Sequence, residues 1–155
     1  MFEVDRRLGT GVSVRAIREG LADGTIDAIA TDHAPHAPHM KELPFDQAPP
    51  GMLGLETAFA LALGDSGLDL PEVLALLSWR PAAIAGVADR HGAPVVPGAP
   101  ANLCVVDPDE TWTVSGAAMA SLSSNTPYEG RTMRGRVRHT IRAGVPVVVD
   151  GEARR

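Results

Sequence analysis

The stretch IDAIATDHAPHAPHMKE, residues 26–42, decides the fold that we predict for this chain. Residues 25–31 are short, apolar and bounded by Gly24 and Asp32, which predicts a strand buried on both faces, as in a parallel sheet covered by helices. The loop that follows carries three of the five histidines at three-residue intervals: His33, His36 and His39. A buried strand that ends in an acid and a histidine-rich loop indicates an α/β protein with chemistry at the strand end.

The segments around this strand are predicted to be helical. Ser13 is expected to cap a helix that ends at Gly24 and presents Val14, Ile17 and Leu21 on one face. A proline-rich loop covers residues 33–52, and loops of that length in compact domains are often functional. Further helices are predicted over residues 54–64 and 70–80, with Pro71 in a first turn and Pro81 as the stop or kink. The pattern favours βα units up to about residue 88.

A β-rich region is predicted after Asp89. Alternating segments over residues 101–107, 111–115, 134–144 and 145–152 predict strands, and the Ala143-Gly144 pair predicts a hairpin between the last two. The arginine-rich stretch 131–142 is interpreted as the solvated face of a strand. Cys104 is the single cysteine, so no disulfide within the chain is expected, and its apolar neighbours predict a buried side chain.

Composition is that of a globular protein without a membrane segment. The chain has 155 residues, of which 45% are hydrophobic, and a formal net charge of −5. The negative charge argues against a nucleic-acid partner. No run reaches the ~18 apolar residues that a membrane helix needs, and the N-terminus MFEVDRRLGT does not resemble a signal peptide. We therefore expect a cytoplasmic protein with no membrane partner.

Asp32 has two interpretations from the residues alone. A carboxylate that leaves a buried strand must be paired, hydrogen-bonded or bound to a metal, and a helix cap in a βα loop is the simpler of these roles. The nearby histidines favour a metal, because carboxylate and neutral imidazole are common zinc ligands. Pro35 and Pro38 oppose a regular helix, so a site made of the three histidines alone is not expected.

The three histidines are predicted to differ in role. His39 is interpreted as a solvated loop residue, and His33 as a packing residue or a support for a ligand. His36 follows Pro35, which restricts the backbone before it, and is the best candidate to touch a substrate anion. An imidazole can donate a strong hydrogen bond to a carboxylate.

Residues 30–41, ATDHAPHAPHMK, follow a defined pattern: a small residue, Thr, Asp, any residue, Ala-Pro-His, four residues and Lys. This pattern resembles the second signature of the dihydroorotases, a family of the amidohydrolase superfamily. Residues 42–63, ELPFDQAPPGMLGLETAFALAL, and residues 123–137, SSNTPYEGRTMRGRV, resemble two later segments of that family, with Pro50 where Phe is usual. Residues 97–108, PGAPANLCVVDP, are similar to a segment of amidohydrolases generally.

The resemblance implies a fold and a set of site residues. The fold is a TIM-type (β/α)8 barrel with a small β-subdomain. Residues 1–88 would form the C-terminal part of a barrel that is incomplete in this chain, and residues 89–155 the subdomain with its C-terminal hairpin. Asp32 would bind a metal in a centre of one or two zinc ions and act as general base and acid. His36 would bind the carboxylate of dihydroorotate, and the backbone of Pro50 and Gly51 would contact the substrate.

The implied activity is zinc-dependent, reversible hydrolysis of the cyclic amide of dihydroorotate to N-carbamoyl-aspartate in pyrimidine (UMP) biosynthesis. The family's first signature and its other histidine ligands have no counterpart in these residues, and Lys41 already belongs to the matched signature. We therefore expect a C-terminal fragment that is inactive alone. The alternative is a non-catalytic amidohydrolase-like remnant with a structural or partner-binding role. A homo-oligomer or a pyrimidine-pathway enzyme is the expected protein partner.

Residues 5–9, DRRLG, depart from the family. Relatives have Asn-Pro-Pro-Leu-Arg at this place, and an aspartate such as Asp5 would repel a carboxylate substrate. We therefore interpret residues 1–13 as a truncated, frame-disrupted or divergent start. Asp5, Arg6 and Arg7 favour the partner-binding alternative, whereas Asp32 and His36 favour the enzyme.

Overall fold

A computed structural model describes residues 11–154, except the side chain of Val12, and the predictions for Asp5, Arg6 and Arg7 lie outside these residues. The elements, in chain order, are α1 Gly11–Ala22, α2 Pro38–Lys41, α3 Ala58–Asp65, α4 Leu70–Leu77, α5 Trp79–Ile84, β1 Leu103–Thr113, β2 Thr132–Arg142, β3 Val145–Val149 and β4 Glu152–Ala153. A single 3-10 turn, Gly116–Ala118, lies between β1 and β2. The helices therefore precede the strands, and an α/β composition is confirmed. The division into two domains at residue 88 stays a prediction.

Helix α1 starts earlier than expected. It begins at Gly11, so Ser13 lies inside the helix and the predicted cap is wrong. The predicted stop is confirmed, since Gly24 follows the helix with a φ of 80°, a left-handed conformation that glycine adopts without strain. Leu21 is buried, whereas Ile17 is 54% exposed. Residues 11–154 thus cover only part of the apolar face of α1.

The predicted strand over residues 25–31 is wrong for the part of the chain that the structure describes. No strand is assigned to these residues, and Ile29 instead donates its N–H to the carbonyl of Leu76 in α4 at 2.9 Å. A strand needs a neighbouring strand with which to exchange hydrogen bonds. Within residues 11–154 this segment lies beside a helix end, and its nearest extended pairing is an isolated parallel bridge from His33 to Met52.

Helices α3 and α4 follow the sequence pattern with shifted ends. α3 begins at Ala58, four residues after the predicted start. In α4, Pro71 lies in the first turn as predicted, and the Asp69 side chain caps the helix by accepting from the N–H of Glu72 at 3.0 Å. Of the two outcomes predicted for Pro81, the kink is confirmed and the stop is wrong, because the chain bends at Ser78 and α5 runs through Pro81. A proline ring clashes with the carbonyl four residues earlier, which places the break upstream of the proline.

The four strands form one antiparallel sheet in the order β1-β2-β3-β4. β1 joins the two strands predicted over residues 101–107 and 111–115, with an irregularity in between. The Ala143-Gly144 hairpin is confirmed, and both residues have positive φ values of 49° and 81°, as in a type I′ turn. The arginine-rich stretch forms β2, and Arg134, Arg136 and Arg138 pair with Asp109 and Glu110 of β1.

The prediction that Cys104 is buried is wrong, because the side chain is exposed. The pairing of β1 with β2 shifts register between Val105 and Val106, and such an irregularity turns the strand. Val106, and not Cys104, therefore packs against the helices.

The helices and the sheet meet in two buried clusters. In the first, Phe59 and Ala62 of α3 and Val73 of α4 are buried together, with Val106 and Val137 of the sheet packed against them.

The second cluster joins α3 to the segment between β1 and β2. Ala60 of α3 is buried with Val114 and Met133, and Met119 and Tyr128 pack against them. This contact fixes the segment relative to α3, which matters for the site below. None of the helices within residues 11–154 combines the length and the apolar character needed to cross a membrane.

Candidate active site

Asp32 occupies an unusual backbone conformation directly before the histidine-rich loop. Its φ is 46° and it is exposed. A residue other than glycine costs about 1 kcal/mol in this left-handed region, and such residues cluster at functional sites. The helix-cap interpretation of Asp32 is wrong, because the N-cap position of α2 is Ala37, which makes no side-chain hydrogen bond to the helix. Within residues 11–154 the carboxylate has neither a hydrogen-bond nor an ion-pair partner, which leaves both oxygens open to a ligand.

His33 joins the segment before it to the turn that precedes α3. Its Nδ1 accepts the N–H of Gly54 at 3.1 Å and that of Leu55 at 3.3 Å. Nδ1 is therefore the acceptor nitrogen, and in the neutral ring the proton resides on Nε2. A Cβ at Gly54 would lie 2.9 Å from both Cβ and the carbonyl oxygen of Thr31, so only glycine permits this approach. The predicted packing role of His33 is thus confirmed, and its support of a ligand stays a prediction.

The structure brings together the three residues that were predicted to contact the substrate. His36 Nε2 lies 2.9 Å from the carbonyl oxygen of Pro50 and donates to it, since a carbonyl oxygen only accepts. Gly51 has a φ of 125°, and a Cβ there would lie 2.6 Å from Cβ of Ala34 and 3.1 Å from His36 Nε2. His33 and Met52 form the isolated parallel bridge. Asp32 directly precedes His33 in the chain, and Gly51 directly precedes Met52. The substrate-binding roles of His36, Pro50 and Gly51 stay predictions.

Lys41 is a buried cation beneath this loop. It lies in α2 and is 8% exposed. Its Nζ donates to the carbonyls of Pro49 at 2.7 Å and of Gly51 at 3.2 Å. Sequence analysis assigned Lys41 to a signature but gave it no role. Its identity as the single lysine in a chain otherwise rich in arginine was the available signal.

Asn125 is a site residue that sequence analysis missed. It lies in the segment between β1 and β2 and is 7% exposed. Its Oδ1 accepts the N–H of His36 at 3.3 Å and the hydroxyl of Ser123. Its Nδ2 donates to the carbonyls of Ala34 at 3.1 Å and of Gly51 at 3.2 Å. The reverse amide orientation would turn Oδ1 toward two carbonyl oxygens, so the partners determine the orientation.

Ser123 and Glu56 complete the contacts between this segment and the helical part. The hydroxyl of Ser123 is also within hydrogen-bond distance of the carbonyl of His36, so its single hydrogen is shared between this carbonyl and Oδ1 of Asn125. Glu56, just before α3, accepts from the backbone N–H groups of Ala120 and Ser121 at 3.1 and 3.4 Å. Glu56, Ala120 and Ser121 also line a cavity of about 720 Å³ between α3 and the sheet. His33 lines this cavity, whereas Asp32, His36, Pro50 and Gly51 do not.

Comparison with known sequences decides the family. The sequence pattern that describes the Amidohydrolase family matches residues 6–147. The chain belongs to the amidohydrolase family. Among curated amidohydrolases it is 50% identical over 138 residues to a dihydroorotase of Mycobacterium leprae, with 83% of this chain and 31% of that protein covered. It is 47% identical over 156 residues to a dihydroorotase of Streptomyces coelicolor, with 98% and 36% covered. The chain thus spans about a third of the length of these relatives.

Solved amidohydrolase structures share the fold. A D-hydantoinase (dihydropyrimidinase) from a Thermus species superimposes with a TM-score of 0.85 at 26% identity, over 99% of this chain and 35% of that one. A dihydropyrimidinase from Brevibacillus agri gives a TM-score of 0.84 at 20% identity, over 98% and 34%. The described helices and sheet are therefore those of an amidohydrolase fold.

Members of this amidohydrolase family generally depend on metals, so the donor set is tested against zinc. Among residues 11–154 no group of three or more His, Cys, Asp and Glu side chains could hold a metal ion. Zinc takes about four ligands, and Asp32 supplies one open carboxylate. His33 uses Nδ1 on Gly54 and Leu55, and His39 is exposed on α2. The described residues do not by themselves form a zinc site.

Proposed function

We propose that this chain belongs to a dihydroorotase, which hydrolyses the cyclic amide of dihydroorotate reversibly to N-carbamoyl-aspartate in pyrimidine biosynthesis. The observation that carries the proposal is the 2.9 Å contact between His36 Nε2 and the carbonyl of Pro50, with Gly51 packed against the same imidazole. It unites the predicted substrate-binding residues in a chain that is 50% identical to a dihydroorotase.

His36 and Gly51 offer hydrogen-bond donors to the substrate. With Nε2 donating to Pro50, a protonated His36 ring still offers Nδ1–H, because both nitrogens of an imidazolium are donors. The N–H of Gly51 has no acceptor within residues 11–154. A carboxylate can accept from the ring, and charge-assisted hydrogen bonds of this kind are strong. The N–H of Gly51 is anti to the Pro50 carbonyl in the same planar unit, so it points away from His36 and is open to another oxygen of the substrate.

Asp32 is proposed as the proton carrier of the reaction. Its carboxylate is exposed and unpaired among the described residues, so it can accept a proton from the attacking water. The same group can return that proton to the ring nitrogen as the amide bond breaks. Zinc, as one or two ions bound by Asp32 with ligands from outside residues 11–154, belongs to the proposal, and a bound metal lowers the pKa of water to about 7.

The proposal also covers the place of the chain in a larger fold, its location in the cell and its protein partners. Residues 1–88 would contribute the last βα units of a (β/α)8 barrel and residues 89–155 the small β-subdomain. The likeness to hydantoinase structures over 99% of the chain and 35% of the larger protein supports this placement. A cytoplasmic location, a homo-oligomer or a complex with a pyrimidine-pathway enzyme are further parts of the proposal.

A chimera tests the activity. Residues of this chain replace the matching third of the Streptomyces coelicolor dihydroorotase, to which 98% of the chain aligns. We expect the chimera to hydrolyse dihydroorotate and to lose this activity with Asp32→Asn. The 155-residue chain alone should bind zinc weakly and turn over negligibly, because one carboxylate cannot replace about four ligands. A folded, zinc-loaded chimera without turnover would contradict the proposal.

The non-catalytic alternative predicts a different outcome of the same experiment. A remnant that binds a partner has no need of an unpaired Asp32 or of His36, so Asp32→Asn and His36→Ala would leave its partner binding unchanged. A chimera that folds and stays inactive with dihydroorotate would favour that alternative.

A further inference from the structure

Lys41 holds the peptide units on both sides of the Pro50–Gly51 unit. Its Nζ donates to the carbonyl of Pro49 and to that of Gly51. The unit of the Pro49 carbonyl has no N–H, because the next residue is Pro50, and the unit of the Gly51 carbonyl carries the N–H of Met52. Because peptide units are planar, holding these two carbonyls fixes the planes on either side of the unit that carries the Pro50 carbonyl and the Gly51 N–H. Gly51 has a φ of 125°, and a backbone in this region has few intrinsic restraints. The buried ammonium therefore supplies an orientation that the loop sequence does not supply itself.

Asn125 connects the backbone of His36 to the backbone of Gly51. Its amide binds the N–H of His36 through Oδ1 and the carbonyl of Gly51 through Nδ2. One planar amide thus sets the separation between the His36 backbone and the Gly51 backbone. With Ser123 and Ala34 the donors and acceptors of Asn125 are all used, and a buried polar group with full partners rigidifies its surroundings.

We propose that Lys41 and Asn125 are positioning residues for the carboxylate of the cyclic substrate. Together they form a clamp, named here the Gly51 clamp, that keeps the Nε2 of His36 on the carbonyl of Pro50 and the N–H of Gly51 free. Neither residue touches the reacting amide. The inference rests on the proposed function, because the carboxylate that the clamp serves is that of dihydroorotate.

A merely structural clamp and a positioning clamp predict different kinetics. Loss of a structural support lowers the amount of folded protein and reduces kcat and kcat/KM together. Loss of carboxylate positioning raises KM and leaves the Asp32 chemistry in place. In the chimera described above, Asn125→Asp and Lys41→Met should each raise KM for dihydroorotate ~10-fold or more and change kcat by less than ~3-fold.

The clamp itself can be measured without any activity. In the ¹⁵N-labelled 155-residue chain, NMR of the His36 ring reports which nitrogen carries the proton and whether Nε2–H is hydrogen-bonded. Asn125→Asp keeps the acceptor for His36 and removes the donor to Gly51, and Lys41→Met keeps the apolar stem and removes the ammonium. Each variant should lose the Nε2–H preference of His36. An unchanged ring in both variants would overturn the clamp.

Asn102 offers a matched control. Its amide also joins two distant backbone groups, donating to the carbonyl of Arg90 at 2.9 Å and accepting from the N–H of Ala143 at 2.8 Å. Asn102→Asp should therefore reduce thermal stability without changing the His36 ring or KM. An equal rise of KM in this control would overturn the positioning role.

The two levels of inference fail separately. Failure of the proposed function appears as an unaltered chimera that does not hydrolyse dihydroorotate. Failure of the Gly51 clamp appears as an unchanged His36 tautomer in the variants of the 155-residue chain. An altered tautomer with an unchanged KM in an active chimera would remove the positioning role and leave the proposed function intact.

Discussion

Nδ1 of His33 accepts the backbone N–H of Gly54 at 3.1 Å, and this contact ties the residue after Asp32 to the turn that leads into α3. Gly54 is buried and packs directly on Thr31. The imidazole therefore satisfies a backbone donor that water does not reach. Through this contact, the backbone next to the exposed Asp32 is held by the turn at Gly54.

Removal of this imidazole should destabilise the chain. In His33→Ala the buried N–H of Gly54 loses its acceptor, which costs about 1–3 kcal/mol in the free energy of unfolding. The exposed His39 provides the control, and His39→Ala should change stability by less than about 0.5 kcal/mol. Urea denaturation followed by circular dichroism measures both. Equal midpoints for the two variants would show that the His33 contact contributes nothing.

The close approach of Gly54 to Thr31 predicts an asymmetry between two glycines. A Cβ at Gly54 would lie 2.9 Å from a backbone oxygen, whereas nothing lies within 4 Å of a Cβ at Gly64 in α3. Gly54→Ala should therefore destabilise by about 1–3 kcal/mol. Gly64→Ala should stabilise by about 0.5–1 kcal/mol, since alanine favours a helix. Thermal unfolding of the two variants checks the sign of each change, and a tolerated Gly54→Ala would contradict the packing described.

Asp32→Asn tests the proposed chemistry of the carboxylate with little change in the stability of the chain. Both residues tolerate the left-handed backbone of position 32, so stability should change by less than about 0.5 kcal/mol. The chimera that carries this variant should nevertheless lose turnover, because an amide cannot accept and return the proton. Hydrolysis at the unaltered rate would remove Asp32 from the mechanism.

His36→Ala tests the carboxylate site directly. The variant removes the ring that contacts Pro50, and in the chimera KM for dihydroorotate should rise ~10-fold or more while kcat changes little. Initial rates over a range of substrate concentrations give the two constants. His39→Ala, made in the same chimera, controls for a general loss of histidine charge. An unchanged KM would assign the carboxylate to the backbone or to His33.

The ion pairs between β1 and β2 predict an acid-sensitive sheet. The hydrogen bond from Arg138, with a further one from Arg136, holds the pKa of Glu110 below its ordinary value of 4.5. A carboxyl whose pKa is lowered by folding stabilises the protein above that ordinary value, and this contribution disappears as the pH falls through the lowered pKa.

Glu110→Gln should therefore lose stability near neutral pH, and its stability should depend less on pH below the ordinary pKa of 4.5 than that of the unaltered chain. Denaturant midpoints at a series of pH values measure this, and Glu152→Gln, at the exposed strand β4, is the control. Parallel pH profiles for Glu110→Gln and the unaltered chain would contradict the role of the Arg138 contact.

Features set by neighbouring residues were predictable from sequence. The first-turn Pro71, the stop at Gly24 and the Ala143-Gly144 hairpin each depend on a few adjacent residues, and the structure contains all three. The family likewise followed from short motifs, and the match over residues 6–147 agrees with it.

Features that depend on distant parts of the chain were not predictable in this way. The segment 25–31 has the composition of a buried strand, but strand formation depends on a neighbour, and among the described residues it meets Leu76 of a helix. The predicted helix cap at Ser13 and the predicted burial of Cys104 are wrong for a related reason. The start of a helix and the register of a strand depend on contacts outside the local pattern.

The amino-acid sequence by itself determined the family and predicted the groups that we propose for the chemistry: Asp32, His36 and the backbone of Pro50 and Gly51. Only the tertiary structure decided how these groups are held, through Lys41 and through Asn125, which contacts Ala34 across 91 residues of chain. The physical reason is that a hydrogen bond depends on distance and angle in space. Local sequence patterns carry this information only for residues that are close along the chain.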